Sequence, residues 1–331
     1  MTSELSELRT FSAAVGSDPL LVQAAGGNTS LKSDGTMWIK ASGTWLSDAA
    51  VRDIFVPVGH GALIAALASN DPACETCVDF VRGDLNANGL RPSIETTVHA
   101  LMPQPVVVHV HCVNTIAWAI HSRGETMLAN VLKDFNWAFI PYARPGLPLA
   151  AAISTRLRPD VDVLVLGNHG LVVAADTVAA ADELLRKVVA AVRRPLRASI
   201  APDQSALHKA SAGTRYRLAE SDETHALATD ALALKRGAPA VFYPDHVVFL
   251  GVGVATSFAG TPPLVAVPGA GVLIHEDAKP AIEPMGRCLA DVMRRVTEDD
   301  TLTALTADDI DRLVNWDAEK YRQTLDAGAS A

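Results

Sequence analysis

The sequence predicts an α/β fold, because short runs of β-branched residues alternate along the chain with longer segments of helical character. Residues 106–111 and 161–166 are the clearest strands, since both are rich in valine and both end at a turn. Residues 176–194 are the clearest helix, with Asp176 and Thr177 available to cap its start and Pro195 to end it. With 331 residues, of which 49% are apolar, the chain can form one large or two moderate domains.

The other predicted elements follow from the same patterns. Helices are predicted over residues 3–20, 61–69, 114–121, 150–156, 223–236, 281–297 and 307–324, and a further helix is predicted to begin at residues 92–95. Strands are predicted over residues 36–40, 55–59, 171–174, 240–250 and 272–275, with a short strand and a turn at 139–146 and a glycine-rich hairpin region at 251–271. Residues 201–213 are small and polar, which predicts a linker between a domain at 1–200 and a smaller α/β extension at 214–331.

Composition excludes several classes of function. The net charge is −9 and no basic stretch follows the pattern of a phosphate-backbone binder, so we expect no nucleic-acid partner. The polar start of the chain is neither a signal nor a transit peptide, and the apolar runs are interrupted before membrane-spanning length. Four cysteines in a chain of this length make no disulfide framework, and we interpret Cys74 and Cys77 as inert residues of one helix face. These observations favour a cytoplasmic protein without a membrane association.

A candidate metal site begins in the strand at residues 106–111. Side chains two positions apart on a strand share a face, so His109 and His111 project together, about 7 Å apart along the strand. A strand histidine is often a packed core residue, but burying two imidazoles is costly unless each ring nitrogen has a partner. His169 follows a second apolar strand, and Glu95 stands at the start of a helix, where its carboxylate could either favour the helix dipole or act as a base beside the metal. Three imidazoles would leave zinc an open position, as in catalytic sites.

Two small-residue turns form a candidate anion site. Gly27 and Asn28 lie in one turn, and Ser42 and Gly43 in another, each next to a predicted strand. Glycine lets the backbone approach a ligand, and backbone N–H groups can then cradle an anion, although the first turn is equally compatible with a simple hairpin.

Two further segments carry polar side chains with open roles. Tyr142 could supply a proton and Arg144 could bind an anion, but a structural role is at least as plausible for both. His99 shares a helix face with Glu95 and is interpreted as a residue that packs against or supports that carboxylate.

Five motifs, taken in order, resemble the class II aldolase/adducin family. They are GGNTS at 26–30, KASG at 40–43, PSIE at 92–95, HVH at 109–111 and NHG at 168–170, and the resemblance covers roughly residues 1–200. The segments YPDHVVFLG at 243–251, EPMGRCLADVMRR at 283–295 and NWDAEKYRQ at 315–323 resemble the C-terminal extension of long bacterial members, some of which are fused to a short-chain dehydrogenase.

The resemblance implies a three-layer α/β/α sandwich around a mostly antiparallel sheet, and a homo-oligomer. It implies a divalent metal, usually Zn²⁺ and alternatively Mn²⁺ or Co²⁺, on His109, His111 and His169. It gives Glu95 the role of catalytic acid/base and possible metal ligand.

The resemblance also implies a substrate pocket. It places phosphate binding on Gly27, Asn28, Ser42, Gly43 and Ser93. It aligns the YARPG segment, which contains Tyr142, with the family's YATFG motif, in which the tyrosine protonates an aldehyde. Only one serine precedes the glutamate here, and the stretch from the glutamate to the histidines is shorter than in fuculose-phosphate aldolases, which leaves room for a smaller or unphosphorylated substrate.

The expected activity is metal-dependent (retro-)aldol cleavage of a sugar or sugar phosphate through an enediolate. A 4-epimerase, a dehydratase or a decarboxylase would use the same site, and the motifs do not separate these reactions. A non-catalytic binding module like the adducin head is a further alternative, against which the retained histidines and Glu95 argue.

Overall fold

The computed structural model describes residues 3–328 and contains a central mixed sheet of seven strands. The strands are β1 (Asn28–Ser33), β2 (Thr36–Lys40), β3 (Phe55–Gly59), β4 (Val106–Val110), β5 (Trp137–Ile140), β6 (Val163–Leu166) and β7 (Gly170–Ala175). Their order is β3-β2-β1-β4-β7-β6-β5. Only the pair β5–β6 is parallel within this sheet, so the prediction of a mostly antiparallel sheet is confirmed.

Helices cover both faces of this sheet. Those of the first two-thirds of the chain are α1 (Ser3–Gly16), α2 (His60–Ala68), α3 (Thr96–Leu101), α4 (Val113–Ala119), α5 (Gly124–Val131), α6 (Leu147–Arg156) and α7 (Val178–Ala191). Val106, Val108 and Val110 of β4 pack with α1 and α7, whereas Val107 packs with α3 and α6. This alternation confirms the three-layer α/β/α arrangement. It also puts the side chain of His109, two residues after Val107, on the α3 and α6 side.

The C-terminal part of the chain contains a second, three-stranded antiparallel sheet. Its strands are β8 (Tyr216–Leu218), β9 (Leu264–Val267) and β10 (Gly271–His275), in the order β8-β10-β9. The helices are α8 (Gln204–Ser211), α9 (Asp222–Thr229), α10 (Ala231–Gly237), α11 (Ile282–Met293), α12 (Ala307–Val314) and α13 (Asp317–Gly328). Helix α11 packs in one buried cluster with α4, the helix that follows the strand carrying His109.

Several sequence predictions in this part are wrong. Residues 240–250 form no strand: His246–Leu250 is a single π-helical turn whose apolar residues are buried against α11. A short apolar run fits a buried helical turn as well as a strand, and periodicity does not distinguish them. The helix predicted at 307–324 is interrupted between α12 and α13.

The segment predicted as a linker is also partly helical. Asp203 caps α8 by accepting a hydrogen bond from Ala206 N, and Leu207 is fully buried against the small sheet. Asp230 likewise ends the helix predicted at 223–236 and caps α10 through its carboxylate. Short polar side chains favour helix starts, which explains both boundaries. The division of the chain into two domains stays a prediction.

Within residues 3–328, no helix combines the length and apolar character needed to cross a bilayer. The four cysteines are buried free thiols, and burial raises the pKa of Cys74 and of Cys77, which fits the prediction that these two are inert.

Candidate metal centre

Four predicted residues meet in one buried cluster. His109 lies on β4, His111 follows the end of that strand, His169 lies in the turn between β6 and β7, and Glu95 precedes the first residue of α3. One ligand atom from each of the four lies within 4.8 Å of every other, and all four side chains are buried. Three separate chain segments therefore converge on one point beside the central sheet.

Local backbone features make this convergence possible. Asn168 adopts a positive φ of 52°, which turns the chain between β6 and β7 and presents His169 to the cluster. Gly170 begins β7 beside β4, and a Cβ atom there would lie 2.6 Å from the Val110 carbonyl oxygen and 3.2 Å from the His109 ring. Only glycine permits this approach of the two strands.

The ligand atoms face one another at short distances. Glu95 Oε2 lies 3.2 Å from His109 Nε2, and Glu95 Oε1 lies 3.3 Å from His169 Nε2. His111 Nε2 lies 3.1 Å from His109 Nε2. The Nε2 atoms of all three imidazoles and both oxygens of the carboxylate thus surround one small volume.

The protonation states of the cluster side chains are suited to binding a cation. Burial lowers the pKa of His109, and it lowers the pKa of His169 to about 3, so both imidazoles are neutral near pH 7. Burial opposes ionisation of Glu95, but His109, His169 and a hydrogen bond from Asn28 outweigh it, and the pKa of Glu95 falls to about 2. Neutral imidazoles and an ionised carboxylate are the forms that bind a metal.

Buried acceptor atoms of the cluster that lack a hydrogen-bond donor are also suited to binding a cation. The Leu171 carbonyl oxygen can only accept, so His109 Nδ1, 3.1 Å away, carries the proton and leaves Nε2 with a free lone pair. Within the described part of the chain, Glu95 Oε1 has no hydrogen-bond donor although it is buried. A divalent cation between these atoms would satisfy them, so the residues present fit the group that the sequence predicts.

Asn28 holds the carboxylate rather than standing free for an anion. It pairs with His109 across β1 and β4, and its Nδ2 donates to Glu95 Oε2 at 2.9 Å and to Ser93 Oγ at 3.2 Å. Its Oδ1 contacts His99 Nε2, and His99 Nδ1 lies 2.7 Å from Ser30 Oγ. His99 therefore supports Glu95 indirectly through Asn28, a chain of contacts that only the strand register brings together.

The predicted anion-binding residues line the same cavity as the cluster. This cavity has a volume of about 20 Å³, which is the space of one water molecule or one ion. Its lining includes Gly27, Asn28, Ser42, Gly43 and Ser93, together with Lys40. Gly27 and Gly43 have φ values of 60° and 75°, so both turns depend on glycine.

Helix α13 closes the cavity on the side of the second turn. Glu319 is 1% exposed and belongs to the lining, and a Cβ atom on Gly43 would lie 2.5 Å from Leu325 Cδ1. Trp316, just before α13, stacks on the Arg144 guanidinium with 4.1 Å between the charge centre and the ring centroid. Arg144 also pairs with Glu75, so its side chain serves packing rather than an open anion site.

Tyr142 is a predicted site residue that belongs neither to the cavity lining nor to the His/Glu cluster. It packs instead with the buried cluster of the C-terminal part. Its hydroxyl is buried without a hydrogen-bond partner among the described residues, and burial raises its pKa. The alignment of YARPG with a family motif gave its position in the sequence but not its distance from the histidines.

The C-terminal part supplies contacts that the sequence did not predict. Asn168 Nδ2 donates to the Phe242 carbonyl oxygen at 2.9 Å and to the Thr303 carbonyl oxygen at 2.7 Å. Asp245 Oδ2 lies 3.0 Å from His111 Nδ1. The DH dipeptide at 245–246 was the available signal, but nothing local in the sequence connects it with residue 111.

The structure has a mixed, mostly antiparallel sheet between helical layers, with three histidines and a glutamate at one point. This is the arrangement that the resemblance to the class II aldolase/adducin family implies. Residues 13–194 match the family described as Class II Aldolase and Adducin N-terminal domain, and the chain belongs to this family. Class II aldolases depend on a divalent metal, which agrees with the buried cluster.

Two solved structures are similar to part of this chain. The solved N-terminal class II aldolase domain of a conserved protein from Thermoplasma acidophilum is 27% identical, with a TM-score of 0.51, over 58% of this chain and 93% of that one. An L-fuculose-1-phosphate aldolase from Thermus thermophilus is 18% identical over 56% of this chain and 92% of that one, with a TM-score of 0.38.

A curated relative extends further along the chain. The protein named "Uncharacterized oxidoreductase YuxG" from Bacillus subtilis (strain 168) is 24% identical over 260 residues. The match covers 73% of this chain but only 37% of the length of that relative.

Proposed function

We propose that the protein is a metal-dependent lyase that cleaves a sugar or sugar phosphate by a retro-aldol reaction, or forms the bond in reverse. The observation that carries this proposal is the Glu95 carboxylate between the Nε2 atoms of His109 and His169, with His111 completing the cluster. A carboxylate beside three imidazoles provides both a cation site and a base.

The three histidines would hold the cation, with Glu95 as a further ligand in the resting site. When bound, a divalent cation such as Zn²⁺, Mn²⁺ or Co²⁺ polarises a carbonyl group and stabilises the negative charge of an enediolate. The protein's own contribution is to hold three ring nitrogens and a carboxylate close to one point.

Glu95 is proposed to move the proton at the reacting carbon. Its pKa of about 2 keeps it ionised, which is the form that accepts a proton. Asn28 Nδ2 holds Oε2, whereas Oε1 carries no hydrogen bond from the described residues and is the oxygen available to the substrate. Burial of the cluster keeps bulk water from the reacting atoms.

The two glycine turns are proposed to bind the end of the substrate away from the metal. Gly27, Gly43 and the hydroxyls of Ser42 and Ser93 face the cavity and offer donors to a phosphate or to sugar hydroxyls. The cavity is too small for a sugar while α13 lies over it, so we infer that the side chains of α13 move when the substrate enters.

The position of Tyr142 supports a second candidate reaction. Tyr142 does not line the cavity and packs with the buried cluster of the C-terminal part, which favours reactions that do not need this residue to protonate an aldehyde. Decarboxylation, dehydration or epimerisation through the same enediolate would then place the proton chemistry on Glu95 alone. Product identification separates these reactions, because cleavage releases an aldehyde and decarboxylation releases carbon dioxide.

We further propose that the protein is a cytoplasmic homo-oligomer. Four buried free thiols suit a reducing compartment. Size-exclusion chromatography with light scattering measures the oligomeric state.

The experiment that tests the proposal is elemental analysis of the purified protein beside the double variant His109→Ala, His111→Ala. We expect about one divalent ion per chain in the native protein and none in the variant. The matched control, His208→Ala with His275→Ala, removes two histidines outside the cluster and should retain the ion. A screen of ketoses and ketose phosphates for aldehyde release follows on the metal-loaded protein. A native protein that takes up neither zinc, manganese nor cobalt would instead indicate an adducin-like binding module.

A further inference from the structure

The three imidazoles of the cluster differ in what their outer ring nitrogens contact. His109 Nδ1 lies 3.1 Å from a backbone carbonyl oxygen, that of Leu171. His169 Nδ1 has no partner among the described residues. His111 Nδ1 alone faces a carboxylate oxygen, Oδ2 of Asp245, at 3.0 Å.

Asp245 comes from outside the part of the chain that matches the family. The match ends at residue 194, and Asp245 precedes the π-helical turn that packs between α11 and α12. Its side chain is 2% exposed and lines the metal cavity. A buried carboxylate is costly unless it accepts hydrogen bonds, and an Nδ1 proton on His111 would be at the distance to provide one.

The glycine turn before β1 leaves space for this pair. A Cβ atom on Gly26 would lie 2.9 Å from His111 Nδ1 and 3.1 Å from Asp245 Oδ2. The same Cβ atom would also lie 2.9 Å from the Gln23 carbonyl oxygen, which accepts a hydrogen bond from Gly26 N, so glycine at this position permits both the tight turn and the close approach of His111 and Asp245.

We propose that Asp245 is a positioning residue that fixes the tautomer and the ring orientation of His111 for cation binding. With the proton held on Nδ1 by Asp245, the lone pair of His111 Nε2 points at the cluster, and the adjacent negative charge makes that nitrogen a stronger donor. The C-terminal part of this chain thereby completes the metal centre of its class II aldolase domain. The inference rests on the proposed metal-binding function.

The test measures metal affinity rather than turnover. Metal-free protein is titrated with Zn²⁺ against a chromogenic chelator, and Co²⁺ absorption spectra are recorded for the same samples. We expect Asp245→Ala to bind Zn²⁺ about 10- to 100-fold more weakly, the range that outer partners of metal ligands contribute. Asp245→Asn, which keeps an acceptor oxygen without the charge, should lose less affinity than Asp245→Ala and should shift the Co²⁺ spectrum.

Asp291→Asn is the matched control. Asp291 is 3% exposed and also comes from the C-terminal part, but its carboxylate bonds Arg295 instead of a cluster histidine. This variant should lower the thermal midpoint of the metal-free protein and leave the Zn²⁺ affinity unchanged. Gly26→Ala, which places a methyl group against His111 and Asp245 and also against the Gln23 carbonyl oxygen, should weaken Zn²⁺ binding and is measured in place of Asp245→Ala if that variant does not fold.

The outcomes separate the two proposals. If the native protein binds no metal, the proposed function fails. If the native protein binds Zn²⁺ and Asp245→Ala binds it equally well, or if Asp245→Ala and Asp291→Asn lose affinity to the same extent, the positioning role of Asp245 is refuted.

Discussion

His246 should make the stability of the protein depend on pH. Its side chain is fully buried in the π-helical turn, and neither ring nitrogen has a hydrogen-bond partner among the described residues. The ring of Tyr243 packs against it, with 5.6 Å between the ring centroids. Burial lowers the pKa of His246 from 6.5 to about 4.

The direction of the effect follows from proton binding. Between about pH 6.5 and pH 4 the unfolded chain carries a proton on His246 and the folded chain does not, so stability falls as the pH falls through this window. Between pH 7.5 and pH 5 this linkage removes about 2 kcal/mol, and the complete loss at lower pH is about 3 kcal/mol.

The variant His246→Leu keeps the volume of the side chain and removes its titration. Urea unfolding of both proteins at pH 7.5 and pH 5, with a chelator present, gives the free energies of unfolding. The variant should lose about 2 kcal/mol less than the native protein between the two pH values. Buried His109 and His169 also make the free energy of unfolding depend on pH. They do so equally in both proteins, so their contributions cancel in the difference. Equal losses in the two proteins would refute the assignment of this pH dependence to His246.

Three further outcomes follow from the structure. Glu95→Gln should lower turnover by about 100-fold or more while elemental analysis still finds the metal, because three histidines remain. Asp300→Ala should lower the free energy of unfolding in urea by about 3 kcal/mol, since it leaves the buried Arg194 guanidinium, 2.6 Å from the Asp300 carboxylate, without its charge partner. Glu319→Gln should bind inorganic phosphate about tenfold more tightly in calorimetric titrations of the metal-loaded protein, because it removes a carboxylate from the cavity (tenfold is about 1.4 kcal/mol).

The sequence predicted the parts of the site that local patterns determine. Alternation along a strand placed His109 and His111 on one face, and His169 was expected in the turn that ends a second apolar strand, where the structure has it. Glu95 was expected at a helix start, and it precedes α3. The motifs then implied that these segments meet, which the cluster confirms.

The remaining contacts depend on register and on long-range packing. Asn28 was predicted to bind phosphate, but its alignment opposite His109 in neighbouring strands directs its amide to Glu95. A one-residue shift of β1 would reverse the face on which Asn28 lies, and the sequence of β1 alone does not determine which register forms. The π-helical turn was predicted as a strand for a related reason: its apolar residues suit either structure until α11 packs against them.

The contact between Asp245 and His111 shows that the site includes residues outside the part of the chain that matches the family. Residues 13–194 supply all four groups of the cluster, yet the outer nitrogen of His111 faces a carboxylate from the C-terminal part, and Asn168 beside His169 donates to two carbonyl oxygens of that part. Two of the three histidines thus contact, directly or through a neighbouring residue, segments that contribute no side chain to the cluster. A change within the π-helical turn would be transmitted to the ring of His111 through Asp245, because the turn directly follows Asp245. We therefore expect substitutions of the residues of this turn to alter metal affinity as well as stability, whereas Asp291→Asn, which removes a charge that pairs with Arg295, should change stability alone.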